Sequence, residues 1–336
     1  MFWKNLQKPF FVMAPMADVT DVAFRALVAK CGAPDVFWTE FVSADGLYHT
    51  REINKMKDEE NPIMRDLMKG EAERPIVAQI FSAKPEMIAY AVTLVNKLGF
   101  DGVDLNMGCP DRSIERQGCG SAMIKTPETA RKIIRAARSA SNLPVSVKTR
   151  VGYNKESLNE WLTALLEEAP AAITLHLRTR KQMSLVPADW ELMKKAVEIR
   201  NHVNSEVLLI GNGDVQDLDD ARAKAAESGC DGVMLGRAMF GNPWVFAGRK
   251  SFDIPLKEKL AAFIELARGF EKISPPKNFA ILKKHIKAFV TGFAGAAELR
   301  AKLMETESAS ALALAVAQHK LNEQPSPAPL YRRTFM

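Results

Sequence analysis

Three residues with acid–base or electrophilic side chains stand at the ends of separate apolar segments. Cys109 lies between a glycine and a proline, Lys148 follows Val145–Val147, and His176 ends another apolar segment. A thiol in a rigid turn can act as a general acid that delivers one proton. An ammonium group can stabilise negative charge on an electron-accepting ring, and an imidazole can donate a hydrogen bond to a ligand oxygen. Each also has an ordinary interpretation, as an inert small side chain, a solvated lysine or a core histidine.

Amides and glycines stand at further segment ends. Gln79 and Asn106 carry amides that can pair with the donor–acceptor edge of a heterocycle. The motifs Gly211-Asn212-Gly213-Asp214 and Gly236-Arg237 follow two consecutive segments. Glycine lets backbone N–H groups approach phosphate oxygens, and arginine adds a charged bidentate contact. Alone, the first motif is a tight turn; together, the two favour the phosphate of a mononucleotide-type cofactor, since no Walker or dinucleotide motif is present.

Eight apolar segments carry these residues, and they alternate with helical patterns from residue 11 to about residue 246. The predicted strands are Phe11–Ala14, Val36–Thr39, Ile76–Phe81, Gly102–Asn106, Val145–Arg150, Ala172–His176, Val207–Gly211 and Gly232–Leu235. The predicted helices between them include Pro85–Leu98, Pro127–Ala140, Leu158–Glu168 and Leu218–Glu227. This alternation predicts a parallel sheet covered on both faces. The count favours an α/β fold of the (β/α)8 TIM-barrel type over an open sheet, with the polar strand ends gathered at one mouth.

The pattern becomes helical after Phe246. A linker is predicted at Gly248–Pro255, and prolines at 275 and 276 separate the first two of the helices that follow. These predicted helices are Leu256–Ile273, Asn278–Phe293 and Ala296–Leu321. We therefore predict a barrel domain at 1-247, a helical domain at 256-322 and a flexible tail at 323-336, in which Gln324–Met336 frays.

Composition excludes several classes of protein. Of 336 residues, 47% are hydrophobic and 26% charged, which excludes a disordered or fibrous chain. Without an apolar run of about 18 residues, a membrane span is not expected, and the N-terminal stretch is interpreted as a barrel strand rather than a signal peptide. The four cysteines form no CxxC pair and have no nearby histidines at zinc spacing. We therefore expect neither a metal site nor a disulfide framework, which fits a reducing cytoplasm. Basic residues outnumber acidic ones by 46 to 40, which permits a polyanionic partner.

Taken together, the motifs resemble those of the flavin-dependent tRNA-dihydrouridine synthases. The resemblance spans residues 10 to about 246, in the correct order. It rests on Met13-Ala14-Pro15-Met16-Ala17, Asn106-Met107-Gly108-Cys109-Pro110, Val147-Lys148-Thr149-Arg150-Val151-Gly152-Tyr153, His176-Leu177-Arg178-Thr179-Arg180, Ala188-Asp189-Trp190, Asn212-Gly213-Asp214 and Gly236-Arg237-Ala238.

The resemblance implies FMN in the barrel mouth, NADPH as reductant, and reduction of the C5–C6 double bond of specific uridines in tRNA. It assigns FMN binding to Pro15, Met16, Ala17, Gln79, Lys148, His176, Asn212, Gly213, Asp214, Gly236 and Arg237. Hydride would pass from flavin N5 to uracil C6, Cys109 would protonate C5, and Asn106 and Arg178 would hold the flipped-out base. The helical domain and the barrel rim would bind the RNA backbone through basic residues. The candidates are Arg268, Lys272, Lys283, Lys284 and Lys287, for which a solvated helix face is an equal alternative. We expect a monomer.

Two positions depart from the family pattern. Leu177 stands where the family usually has glycine, and Leu185-Val186-Pro187 precede Ala-Asp-Trp in place of an aromatic residue and a glycine. Both departures concern which uridine is chosen. An alternative is an FMN barrel oxidoreductase acting on a free pyrimidine or other small molecule, and a third hypothesis is an RNA-binding barrel without catalysis. The sequence leaves open the tRNA position, another RNA substrate, NADPH against NADH, and the role of Cys119, a second cysteine in the same loop.

Overall fold

Eight parallel strands form one sheet in residues 2–319, the part of the chain that this computed structural model describes. They are β1 (Phe10–Met13), β2 (Phe37–Ser43), β3 (Ile76–Phe81), β4 (Gly102–Met107), β5 (Val145–Arg150), β6 (Ala172–His176), β7 (Leu208–Asn212) and β8 (Gly232–Leu235). The strand order is β1-β8-β7-β6-β5-β4-β3-β2. A parallel bridge between Val12 and Val36 joins β1 to β2, where the Met13 N–H donates to the Val36 carbonyl at 3.1 Å. This bridge closes the ring, and the predicted TIM barrel is confirmed.

The interior of the barrel has an apolar lower part and a polar upper part. Alternate residues of a strand face the same side, so one row of each strand points inward. Phe10, Trp38 and Ile210 are inward residues that pack with Trp3 in a buried apolar cluster. Farther along the inward rows, toward the carboxyl ends, lie Gln79, Asn106, Lys148, His176 and Asn212. The strands therefore deliver the polar residues to one end of the barrel.

Helices cover the outward rows, and several begin where local signals predict. The Asp21 side chain caps the first helix by accepting from the Phe24 N–H at 2.9 Å, and prolines 85 and 127 occupy first turns. The helices are α1 (Val22–Gly32), α2 (Ala44–Tyr48), α3 (Pro62–Arg65), α4 (Pro85–Lys97), α5 (Arg112–Glu115), α6 (Pro127–Ala140), α7 (Leu158–Leu166), α8 (Glu191–Val203), α9 (Leu218–Ser228), α10 (Leu256–Glu271), α11 (Ile286–Phe289), α12 (Ala296–Met304) and α13 (Ala309–Gln318). Their apolar faces and the outward strand residues form the main core.

Local patterns predicted most element bounds but not those shaped by distant contacts. The bounds of β3, β5, β6 and β8 agree with prediction, whereas β2 continues to Ser43 because it pairs with β3 as far as Phe81. The single helix predicted at Asn278–Phe293 is wrong. A 3-10 helix covers Phe279–His285, and only α11 is α-helical. His285, where one helix type changes to the other, packs against the rings of Phe24 and Phe240.

The last predicted helix is also divided. Instead of one helix at Ala296–Leu321, the chain forms α12 and α13, and the Ser308 hydroxyl caps the second by accepting from the Ala311 N–H at 3.1 Å. The predicted linker holds a short 3-10 turn at Ser251–Asp253. The frayed tail predicted at Gln324–Met336 lies outside the described residues, and the three domain boundaries stay predictions.

A buried ion pair joins the C-terminal helical region to the barrel mouth. The Lys277 ammonium lies 2.6 Å from a Glu40 carboxylate oxygen and 3.2 Å from one of Asp66. The side chains of Lys277 and Glu40 are 3% and 6% exposed. Glu40 also accepts a hydrogen bond from the Asp18 N–H, in the loop after β1. The helical region is thereby anchored beside that loop.

Candidate active site

The loop after β4 holds Cys109 in a fixed position. The Asn106 Oδ1 atom accepts from the N–H groups of Gly108 and Cys109, at 3.2 and 3.0 Å. The Cys109 carbonyl accepts from both the N–H and the hydroxyl of Ser121, each at 2.9 Å. Arg150 Nε donates to the Gly108 carbonyl at 2.8 Å. The N–H and carbonyl groups of both Gly108 and Cys109 are therefore hydrogen-bonded.

Gly120 lies in close contact with the Cys109 carbonyl group. Its φ is +59°, and a Cβ atom there would lie 2.6 Å from the Cys109 carbonyl oxygen. Only glycine fits both the left-handed backbone and the missing space. Glu115 stabilises the same part of the loop, because it accepts a hydrogen bond from the Ser121 hydroxyl at 2.9 Å and pairs with Arg180. The backbone on the far side of the loop is thus packed directly against Cys109.

The two cysteines of this loop have different surroundings. Cys109 is half-buried, and burial raises the pKa of its thiol above the ordinary value. At neutral pH it therefore stays protonated, as a proton donor must be. Cys119 is 2% exposed in an apolar cluster with Phe81 and Ile114, where burial raises its thiol pKa to about 11. Cys119 is therefore a buried apolar side chain.

A row of hydrogen bonds inside the barrel orients Asn106. Gln79 Nε2 donates to an Asp104 carboxylate oxygen at 2.6 Å, and Asn106 Nδ2 donates to Gln79 Oε1 at 3.0 Å. The Ser146 hydroxyl donates to the other Asp104 oxygen at 2.6 Å. Burial raises the pKa of Asp104 to about 6, so the group remains mainly an acceptor at neutral pH. Asp104 thus sets the direction of both amides, and sequence reasoning missed it although its place on the inward row of β4 was a usable signal.

Lys148 lies on the inward row of β5 and reaches across the barrel. Its ammonium lies 3.4 Å from Asn212 Oδ1, while Asn212 Nδ2 donates to the Met234 carbonyl at 2.9 Å. Burial lowers the pKa of Lys148 to about 8, and the positive charge of Arg150 adds to the effect. The half-buried ammonium is therefore largely charged at neutral pH, with nearby hydrogen-bonding capacity left for a ligand.

Arg178 links the loops after β6 and β7. Its Nη1 donates to His176 Nε2 at 3.1 Å, its Nη2 pairs with Asp214, and its Nε donates to the Val186 carbonyl at 2.6 Å. Because arginine cannot accept, His176 must accept at Nε2 and carry its proton on Nδ1. Burial, together with four surrounding cations, holds the pKa of His176 well below its usual value. His176 is therefore a neutral imidazole.

The side chains around His176 at the polar end of the barrel carry mainly positive charge. The cations around His176 are Arg150, Lys148, Arg178 and Arg237. Asp214 is the carboxylate that pairs with both Arg178 and exposed Arg237. Burial opposes ionisation of Asp214, but the hydrogen bonds from Arg178 and Ala188 outweigh it, so its pKa lies below the ordinary value. The arrangement suits an anionic group.

The remaining predicted residues lie in loops at the same end, apart from Gln79 on β3. A Cβ on Gly236 would lie 3.5 Å from the Ala14 Cβ and 3.7 Å from the Met16 sulfur, so the loops after β8 and β1 are in contact. Pro15 and Met16 are half-buried, and Ala17 is exposed. Gly213 has a φ of +132°, and its carbonyl accepts from the Trp190 indole at 2.9 Å. Gln79 is fully buried, with one amide N–H left after its two bonds.

The described part of the chain has neither a cluster of metal-binding side chains nor a helix that could span a membrane. Between residues 2 and 319, no three or more His, Cys, Asp or Glu side chains are grouped in a way that could hold a metal ion. None of the helices in that range is both long and apolar enough to cross a bilayer.

Solved structures share the fold of this chain at low sequence identity. A 2-naphthoyl-CoA reductase complex superposes with a TM-score of 0.55 at 10% identity, covering 73% of this chain and 50% of that one. A histamine dehydrogenase from Rhizobium sp. 4-9 gives a TM-score of 0.51 at 13% identity, covering 82% and 50%. These likenesses concern the barrel fold alone.

Sequence comparison places the chain in a family. A protein described as a probable tRNA-dihydrouridine synthase of Staphylococcus aureus (strain COL) is 40% identical over 310 residues, 91% of this chain and 92% of that protein. Probable tRNA-dihydrouridine synthase 2 of Bacillus subtilis (strain 168) is 39% identical over 310 residues, 91% and 93%. The sequence model of the dihydrouridine synthase (Dus) family matches residues 12–324. The chain therefore belongs to the dihydrouridine synthase family.

Proposed function

We propose that this protein is a tRNA-dihydrouridine synthase that uses FMN and NADPH to reduce the C5–C6 double bond of specific uridines in tRNA. The observation that carries the proposal is the position of Cys109, whose loop is held by Asn106, Ser121 and Arg150 at the polar end of the barrel. Burial there raises the pKa of its thiol, which favours the protonated form. Family membership and relatives named for this activity over 91% of the chain support the substrate. The barrel is proposed to act as a cytoplasmic monomer.

The donor set at the mouth fits FMN. Lys148 supplies a positive charge, His176 an Nδ1–H donor, and Asn212 an amide, all on inward rows. Gly213, Asp214, Gly236 and Arg237 are proposed to line the phosphate end, where cations outnumber carboxylates. Pro15, Met16, Ala17 and Gln79 would form the walls. When bound, FMN reduced by NADPH would supply the hydride for uracil C6.

The residues of the chain then complete the reduction. The Cys109 S–H bond breaks as its proton passes to C5, and the thiolate regains a proton from water. Asn106, besides holding the cysteine loop, retains one N–H that we assign to the target base. Arg178 is 1% exposed with all three nitrogens engaged, so we propose that it serves the substrate by positioning His176 rather than by direct contact.

Basic residues of the helical region are proposed to hold the RNA backbone. Arg268, Lys272 and Lys287 are exposed and form no ion pair with residues 2–319, so they are the strongest candidates. Lys283 donates to the Met304 carbonyl at 2.7 Å, and Lys284 lies 3.5 Å from Asp18. Those two charges are partly satisfied within the protein and would contribute less.

The paired variants Cys109→Ala and Cys119→Ala test this proposal. Purified wild-type protein with FMN, NADPH and tRNA lacking dihydrouridine should form dihydrouridine, detected by mass spectrometry. Cys109→Ala should keep its flavin absorbance and lose product formation, whereas Cys119→Ala should retain most activity because that thiol is buried in an apolar cluster. Full activity of Cys109→Ala would assign the acid role elsewhere. Unchanged dihydrouridine at every tRNA position in a deletion strain would overturn the proposed function.

A further inference from the structure

Three apolar side chains are exposed on one loop at the barrel mouth. The β6 loop, residues 177–190, carries Met183, Leu185 and Val186, which are 40%, 70% and 36% exposed. Single apolar residues are common on protein surfaces, whereas three within four residues form a cluster that a partner molecule can contact.

The β6 loop is held rigidly from beneath. Arg150 Nη1 donates to the Met183 carbonyl at 3.1 Å, and Arg178 Nε donates to the Val186 carbonyl at 2.6 Å. Both arginine side chains are buried, which fixes the position of the two donors. Met183 itself has a φ of +51°, a conformation that a non-glycine residue adopts only when its surroundings enforce it. The loop therefore presents its apolar side chains outward in a fixed arrangement.

The tip of the loop lies beside the cysteine proposed to donate the proton. One guanidinium group, that of Arg150, binds the Met183 carbonyl through Nη1 and the Gly108 carbonyl through Nε. Gly108 directly precedes Cys109. One buried side chain therefore holds the backbone at Met183 next to the loop that carries Cys109.

The charges around the tip indicate the chemistry of the partner. Lys125 and Arg180 both lie over the Tyr153 ring, 4.5 and 5.4 Å from its centre, and the Lys181 N–H donates to the Tyr153 carbonyl at 2.9 Å. Glu115 pairs with Arg180, whereas Lys125 lies over the Tyr153 ring and Lys181 stands two residues before Met183. Apolar groups flanked by cations match RNA, since its bases have apolar faces and its backbone is anionic.

We propose that Met183, Leu185 and Val186 form an apolar wedge that fills the gap left in the RNA stack when the target uridine turns into the barrel. This inference rests on the proposed function and adds a residue set that selects the uridine position. Apolar wedges of this kind enter base steps in other nucleic-acid complexes, where they offset part of the unstacking cost. Rigid support is needed because a mobile loop would lose entropy on each insertion.

Leu185→Ser tests the wedge, with Leu314→Ser as the matched control, since Leu314 is 58% exposed on α13. Removing most of the Leu185 apolar surface should lower kcat/KM on folded tRNA about tenfold. Leu185→Met, which keeps an apolar side chain, and Leu314→Ser should remain within about twofold of wild type. Melting temperature, flavin content and NADPH oxidation should not change, because the side chain is exposed.

Two results would overturn the wedge. Leu185→Ser could match wild type on folded tRNA, or Leu314→Ser could lose as much activity as Leu185→Ser. A wild-type protein that forms no dihydrouridine would instead overturn the proposed function, and the wedge with it. The activity of the wild type thus separates the failure of the proposed function from the failure of the wedge.

Discussion

Replacing Gly120 by alanine gives a direct test of how the loop positions Cys109. The new Cβ would lie 2.6 Å from the Cys109 carbonyl oxygen, inside the distance that any real contact allows. The carbonyl must move, and it accepts two hydrogen bonds from Ser121 at 2.9 Å. Gly118 provides the control, because its φ is +75° but an added Cβ would lie 3.6 Å from the Ala83 Cβ, an ordinary contact.

The expected energies follow from these contacts. A left-handed conformation costs an L-residue about 1–2 kcal/mol, and both variants carry that penalty. Gly120→Ala also loses at least one hydrogen bond to the Cys109 carbonyl, which adds about 1 kcal/mol. We therefore expect Gly118→Ala to lower the free energy of unfolding by about 1–2 kcal/mol and Gly120→Ala by about 2–3 kcal/mol.

The kinetic difference between the two variants should be larger than the difference in stability. A misplacement approaching 1 Å at a reacting group can lower the rate about 100-fold. Dihydrouridine formation by Gly120→Ala should therefore fall at least about tenfold below Gly118→Ala, with equal flavin content in both. Thermal melting and initial rates on the same preparations provide the measurements. Equal rates for the two variants would refute the role assigned to this contact.

Further predictions concern the ion pair, the lysine of the site and the RNA surface. Lys277→Met leaves Glu40 buried without its main partner and should destabilise the protein by about 3–5 kcal/mol. Lys30→Met removes an exposed ion pair and should barely change the melting temperature. Equal changes in melting temperature for the two variants would contradict this prediction. Because the pKa of Lys148 is about 8, the rate of flavin reduction should fall as the pH rises through 8. Lys148→Arg should move this fall to higher pH. A wild-type rate that does not change with pH would exclude a role for the ammonium charge. Affinity for tRNA should fall steeply with salt, and Lys287→Ala should reduce the slope of log K against log salt by about 1, so an unchanged slope would remove Lys287 from the RNA contact.

Much of the site could be predicted because its residues lie on inward rows near strand ends. Asn106, Lys148 and His176 each follow apolar residues with the period of a strand, and a barrel turns these separate positions into neighbours. Asp104 lies on the same inward row, which was a signal that it faces the barrel interior, but the sequence does not show which amides it binds. The family resemblance assigned Arg178 to the substrate, yet its burial depends on the fold of the β6 loop.

The amino-acid sequence alone determined the barrel, since strand and helix periodicities and the polar strand ends are local properties of the chain. It also carried the motifs of the dihydrouridine synthase family. Only the tertiary structure decided which groups share hydrogen bonds: the amide row from Asp104 to Asn106, the contact of Gly120 with Cys109, and the Lys277–Glu40 pair. These contacts join residues that are separated in sequence. Their energies depend on burial, which no local pattern encodes.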